Sequence, residues 1–182
     1  MAHSPTPNTE LRRKVTLREF SIISDWSETM TQGERIELAH GSVAWGPCHI
    51  GNGAQIGADV SIGCLAHVGR NVILGEGTRI QGGAYVADGT HVGEGVFIGP
   101  NATILNDRYP PSRDSEKWQY VTIEEGAVIG GGATILPGLR VGSHAVVAAG
   151  AVLTKDLPAG EVWAGNPAKY HMQRSEYEEA RG

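Results

Sequence analysis

The chain has 182 residues, 40% of them hydrophobic, with 26 glycines, seven histidines, two cysteines and a formal net charge of −5. That length suits one domain, the acidic balance offers no basic patch to a nucleic-acid polymer, and so much glycine calls for a fold made of tight bends. There is no run of about 18 apolar residues for a membrane span, and the cysteines form neither a disulfide framework nor a zinc signature, so a reducing cytoplasm is the expected setting.

The polar start MAHSPTPNTELRRK lacks the apolar core of a signal peptide, and residues 1 to 14 read as disordered. From Val15 to Ile23 the apolar residues partly alternate, which allows a strand or a short helix lidding the end of a solenoid. Regular structure begins near Leu38, where an aliphatic or small residue starts to return at every sixth position: Leu38, Ala44, Ile50, Ile56, Ile62, Val68, Leu74, Ile80, Val86, Val92, Ile98 and Ile104. The fourth residue after each is usually small or β-branched, as in Ala54, Val60, Ala66, Thr78, Ala84 and Ala102. A period of six fits neither an α-helix nor hairpin strands, but it is the repeat of a parallel β-helix. Each hexapeptide is a short strand and a bend, and three of them make a triangular coil of about 18 residues. Cys48 falls on the small inward position and Cys64 on a bend.

The rule lapses over residues 105–122 (LNDRYPPSRDSEKWQYVT), read as a loop thrown out of the wall, and returns at Ile123, Ile129, Ile135, Val141, Val147 and Leu153. A long loop on a strict scaffold is usually functional. After Lys155 the repeat dissolves; Pro158 and Pro167 forbid its continuation, and Ala168 to Arg181 has helix-forming composition. The expected architecture is therefore all-β, with a tail and cap at 1–37, a β-helix of about six coils at 38–157, and a closing segment with a short helix at 158–182.

The hexads, the loop and the closing run AGAVLTKDLPAGEVWAGNPAK resemble the left-handed β-helix acyltransferases that use acetyl-CoA. RIQGGAYV (79–86), GVFIGPNATILNDRYPP (95–111) and the closing run are most similar to the N-acetyltransferases of nucleotide-linked amino sugars, particularly 3-amino sugars. The resemblance covers roughly residues 40–170. It implies a homotrimer with each active site between neighbouring prisms, acetyl-CoA as cosubstrate, no metal, and a dTDP- or UDP-linked amino sugar as acceptor. A flat prism wall suits burial against a symmetry mate.

Amide formation needs a neutral amine, a donor for the tetrahedral oxyanion, and an exit for the proton of the ammonium that forms. His67, His91 and Asn106 are the candidate catalytic residues. His67 lies near the trimer cleft in similar proteins, whereas His91, placed 18 residues before Tyr109, is expected under the root of the loop. In relatives a polar pair, Asn-Asn or Ser-His, follows the Ile-Gln pair; here it is Gly82-Gly83. Either His67, His91 or Asn106 takes over that contact, or the thioester sulfur leaves with the proton and no side chain acts as base.

Gln81, Gly82, Arg108 and Tyr109 are the candidate contacts for the sugar nucleotide, with Arg108 able to fork onto a diphosphate. The resemblance places the pantetheine arm along Gly130, Gly132, Ala148, Ala149 and Gly150, and Lys155 and Lys169 near the CoA phosphates. A γ-class carbonic anhydrase would need a His-x4-His pair, but the residues five after His67 and His91 are Val72 and Val96. An O- or N-acetyltransferase for another small acceptor is the alternative, and a non-catalytic scaffold would need neither the loop nor the closing run.

Overall fold

A computed structural model describes residues 33–182, and residues 1–32 of the expected tail and cap (1–37) lie outside the described residues. Each repeat puts its small and its aliphatic residue two apart on an extended segment, so pleating sends both inward and the residue between them outward. Ala66 and Val68 are accordingly buried, and His67 between them faces out. Repetition of that pattern builds three flat walls.

Wall one is a sheet of nine strands: Arg35–Glu37, Val43–Trp45, Ser61–Ile62, Arg79–Ile80, Phe97–Ile98, Val128–Ile129, Val146–Val147, Glu161–Ala164 and Lys169–Gln173. Its first and last strands pair antiparallel with their neighbours, and the seven between them run parallel. Wall two holds six strands: His49–Ile50, His67–Val68, Tyr85–Val86, Thr103–Ile104, Thr134–Ile135 and Val152–Leu153. Wall three holds five: Gln55–Ile56, Ile73–Leu74, His91–Val92, Thr122–Ile123 and Arg140–Val141. The solenoid thus gains a partial seventh turn, because Glu161–Ala164 adds in parallel to Val146–Val147 beyond the last hexad.

Inside the prism the aliphatic positions stack by type; Ile62, Ile80, Ile98 and Ile129 lie fully buried in one column. Burying each such side chain contributes about 1.5–3 kcal/mol. The coils approach so closely that a Cβ on Gly63 would lie 2.5 Å from the Gly82 nitrogen. The buried threonines are satisfied by backbone carbonyls: the Thr78 hydroxyl donates to the Gly93 carbonyl at 3.0 Å and that of Thr90 to the Ala87 carbonyl at 2.7 Å.

The loop is tighter than the 105–122 span read from the sequence. The Leu105 N–H still donates to the Ile135 carbonyl at 3.1 Å, and Val121 is already buried in the inward small position, with Thr122–Ile123 paired to His91–Val92. The protruding part is 106–119, closed at its neck by the Gln119 N–H on the Asn106 carbonyl (2.8 Å). The closing helix is also shorter than its composition suggested. Lys169–Gln173 is a strand on Glu161–Ala164, and only Arg174–Arg181 is helical, opened by a capping box of Gln173 and Glu176. The free edge of Glu161–Ala164 offers backbone partners that override helix propensity at Lys169 to Gln173. No helix among the described residues is long and apolar enough to cross a membrane.

Candidate functional site

Wall two carries the most distinctive outward face. In-register pairing sets His49, His67 and Tyr85 one above the next, and their rings stack at 4.5 Å and 4.6 Å between centroids, each pair tilted by 13°. Partial burial in this stack, reinforced by the neighbouring His49, pushes the His67 pKa down from its ordinary value, and the Asp88 carboxylate pulls weakly the other way. The imidazole of His67 is therefore neutral near pH 7 and able to accept a proton.

One edge of this wall is built for close approach. Cys64-Leu65, Gln81-Gly82-Gly83, Pro100-Asn101, Gly131-Gly132 and Ala149-Gly150 follow each other up that edge, linked by bonds such as Gly83 N–H to the Cys64 carbonyl (3.0 Å) and Gly132 N–H to the Pro100 carbonyl (2.8 Å). The candidate substrate residues Gln81 and Gly82 and the candidate cofactor residues Gly130, Gly132, Ala148, Ala149 and Gly150 thus fall on one line. Their reasons differ. A Cβ on Gly130 would collide with the backbone of Ala148 and Ala149, so the coil itself demands that glycine, whereas a Cβ on Gly132 or Gly150 would meet nothing within 4 Å. Those two positions, with φ of 67° and 69°, leave open surface along the edge. The Gly82-Gly83 pair also has a local cause, since a Cβ on Gly82 would come within 3.0 Å of the Cys64 carbonyl and one on Gly83 would strike the Asn101 side chain.

The opposite edge of wall two bears the loop. Arg70, Asp88 and Asn106 stack there on successive coils: Arg70 Nε and Nη2 bind the Asp88 carboxylate at 2.8 and 2.7 Å, and Asn106 Nδ2 donates to the Asp88 carbonyl at 3.4 Å. Asp88 thereby ties Asn106 to the face that holds His67. Sequence reasoning missed Asp88 and Arg70, although their one-coil spacing from each other and from Asn106 was there to be read. Inside the loop, Asp107 accepts from the Ser112 and Tyr109 N–H groups at 2.9 and 3.2 Å, which lowers its pKa. Arg108 Nη1 reaches the Pro137 carbonyl (3.3 Å), and Tyr109 is 81% exposed.

His91 is not under Tyr109. The insertion breaks the one-coil count, so the residue stacked on His91 is Thr122, and His91 lies on wall three, away from His67. It lines a shallow depression of about 500 Å³ with Thr122, Glu124, Arg140 and Ser143. Burial raises the Glu124 pKa, but the Ser143 hydrogen bonds at 2.8 and 3.0 Å and the Arg140 charge outweigh it and leave the carboxyl below its ordinary value. Glu124 and Arg140 spend their charges on each other. Wall two, by contrast, carries the His67 ring stack on its face, the side-chain-poor edge on one side and the loop root on the other.

At the far end, Lys155 and Lys169 line one depression of about 260 Å³ together with Trp163, Pro167, Ala168 and Tyr170. The aromatic pair there was not foreseen, because it comes from the strand pairing of Glu161–Ala164 with Lys169–Gln173. Among the described residues, no group of three or more His, Cys, Asp or Glu side chains is arranged to hold a metal ion.

A family profile described as bacterial transferase hexapeptide (six repeats) matches residues 53–88, 71–106 and 120–155. The chain belongs to the hexapeptide-repeat family. Its left-handed β-helix accounts for the three walls. Among curated members, the 2,3,4,5-tetrahydropyridine-2,6-dicarboxylate N-acetyltransferase of Staphylococcus aureus (strain JH9) is 42% identical over 83 residues, covering 46% of this chain and 33% of that protein. The chain thus spans about a third of the length of the curated hexapeptide-repeat relatives it matches. Among solved structures, PerB of Caulobacter crescentus, in complex with CoA and GDP-perosamine, superposes with a TM-score of 0.63 at 23% identity, over 71% of this chain and 56% of that one. A hexapeptide-repeat acetyltransferase of Vibrio cholerae complexed with acetyl coenzyme A gives 0.52 at 22% identity, over 91% and 83% of the two chains. At such identities the likeness is one of fold.

Proposed function

We propose that this chain is an acetyl-CoA-dependent N-acetyltransferase, acting as a homotrimer on the amino group of a nucleotide-linked amino sugar. The observation that carries this reading is His67, set in a ladder of stacked rings on a wall with a side-chain-poor edge on one side and the root of a long loop on the other. The edge at Gly132 and Gly150 suits the approach of a pantetheine arm, and Lys155 with Lys169 suits the CoA phosphates. CoA and acetyl-CoA bound to proteins of the same fold agree with it.

In this mechanism the acceptor amine attacks the thioester carbonyl, a C–N bond forms, and the carbonyl carbon becomes tetrahedral with charge on its oxygen. The C–S bond then breaks and CoA leaves as the thiolate. The ammonium proton passes to His67 and from there to the thiolate. His67 acts as general base, Asp88 and Asn106 fix the loop root on the edge of the same wall, and Arg108 and Tyr109 meet the nucleotide. His91 stands apart on wall three and serves as a control position.

A second reading takes its support from the Staphylococcus aureus relatives, which act on a dicarboxylate. An acceptor with two carboxylates calls for unpaired cations beside the amine site, but Arg70 is engaged by Asp88. The test is a panel of nucleotide amino sugars and amino-dicarboxylates assayed with acetyl-CoA by release of free thiol. Turnover of a sugar nucleotide is the expected result; turnover of a dicarboxylate amine alone would overturn the assignment.

A further inference from the structure

Where the loop leaves and rejoins the solenoid, the stacking of coils lacks one backbone rung. On this edge the carbonyl of a bend's middle residue accepts from the coil above: Asn52 from the Asn71 N–H at 3.1 Å, Arg70 from that of Gly89 at 2.8 Å and Gln119 from that of Gly138 at 3.0 Å. At Asp88 the donor is instead the side-chain amide of Asn106, at 3.4 Å, a distance at which a hydrogen bond is weak. An aromatic ring makes up the contact. Tyr120 lies over Gly89 (φ 72°), so closely that a Cβ there would come within 2.5 Å of the ring atoms Cδ1 and Cε1. Other bend glycines also lie under a side chain, as Gly53 does under Asn71, Gly83 under Asn101 and Gly126 under His144. Those three covering residues are themselves left-handed, whereas Tyr120 is not; it belongs to the return of the loop. On the other side of the neck, a Cβ on Gly138 would lie 2.7 Å from Gln119 Oε1, so bare glycines flank both residues of that return.

We infer that Tyr120, seated on Gly89, latches the root of the loop to the edge of wall two and is thereby a positioning residue for the acceptor. Tyr120 directly follows Gln119, whose N–H closes the neck on the Asn106 carbonyl at 2.8 Å, so a displaced ring pulls on the neck that presents Arg108 and Tyr109. Position 89 needs glycine on two counts, for its positive φ and for the room it leaves the ring. Tyr120 stays 52% exposed, and a ring only half removed from water makes a latch that can release. That the loop serves the acceptor rests on the reading above; that Tyr120 holds the loop does not.

Tyr120→Ala and Gly89→Ala break the contact from its two sides, and Tyr120→Phe keeps it. Gly95→Ala is the control, because Gly95 is a bend glycine of φ 62° whose Cβ would meet nothing within 4 Å and so bears the backbone cost alone. Limited trypsin digestion without acceptor, with mass spectrometry of the cuts after Arg108, Arg113 and Lys117, reads the loop; steady-state kinetics with whichever amine wild type acetylates reads the site. Tyr120→Ala and Gly89→Ala are expected to be cut in the loop about tenfold faster and to raise acceptor KM about tenfold, with kcat and the KM for acetyl-CoA little changed. The double variant goes no further than either single one, since both remove one contact. Tyr120→Phe and Gly95→Ala match wild type in both readouts, although Gly95→Ala, like Gly89→Ala, lowers Tm. Loop cleavage of Tyr120→Ala at the wild-type rate overturns the latch, and so does a Gly95→Ala effect equal to that of Gly89→Ala, which would assign it to the backbone. Faster cleavage with an unchanged acceptor KM overturns the positioning role. Acetylation of no amine overturns that role together with the reading beneath it, whereas the digestion, which uses no acceptor, decides the latch by itself.

Discussion

Replacing His67 by Phe separates its chemistry from its packing. The ring lies between two others at 4.5 and 4.6 Å, and aromatic pairs of this kind are each worth about 0.5–1.5 kcal/mol. His67→Ala forfeits both contacts and is expected to lose about 1–2 kcal/mol of stability, at the lower part of that range because the ladder borders solvent. His67→Phe keeps a stackable ring, so its Tm should stay near that of wild type. What Phe cannot do is take a proton. A positioned general base contributes about 10²- to 10⁴-fold, or roughly 3–5 kcal/mol at about 1.36 kcal/mol per decade, and that factor should vanish from kcat/KM. The pH profile gives a second readout. Because the folded pKa of His67 is depressed, the acid limb it imposes lies below the ordinary imidazole value of about 6.5. Linkage carries the same sign: the unfolded chain takes up the proton first, so stability present above about pH 6.5 is lost as pH falls through the folded pKa. His67→Phe removes both effects. Steady-state kinetics and thermal unfolding from mildly acidic to mildly basic pH measure them, and a His67→Phe enzyme within tenfold of wild type, with its acid limb unchanged, would refute the assignment of the base.

Excision of residues 107–118 should leave a folded β-helix, because the Gln119 N–H already meets the Asn106 carbonyl at 2.8 Å, while turnover collapses; circular dichroism and the thiol assay read the two outcomes. Lys155→Ala with Lys169→Ala should raise KM for acetyl-CoA by about tenfold at low salt, equivalent to about 1.4 kcal/mol, and by less at high salt; an unchanged KM would remove the lysines from the CoA site. Ile98→Ala, in the fully buried column, should cost about 2–5 kcal/mol in denaturant unfolding. Sedimentation should give about three times the 19.3 kDa chain mass, and an active monomer would contradict a site shared between subunits.

Periodicity alone assigned the residues of the hexads to inward or outward positions. Ile98 and Ala102 could be placed in the core, and His49 and His67 on one outward column, because pleating leaves only two directions and the coil repeats its register. Residue type drew attention to Gly130, Gly132 and Gly150 on one edge, but not to which of them serves the coil and which leaves open surface. That distinction depends on where neighbouring backbone lies, a property of two coils and not of one hexad.

Local patterning could not locate groups whose neighbours arrive from outside the repeat. His91 was counted under Tyr109, yet the loop inserts residues between Ile104 and Ile123, and Thr122 takes the place above it. Lys155 and Lys169 share a depression with Trp163 and Tyr170 only because Lys169–Gln173 adds as a strand to Glu161–Ala164, where a free sheet edge prevails over helix propensity. The sequence by itself determined the solenoid and its inside, since a six-residue period acts through local geometry repeated many times. The tertiary structure decided what stands beside what at the site, since that depends on how a loop, a strand and neighbouring coils meet at one edge.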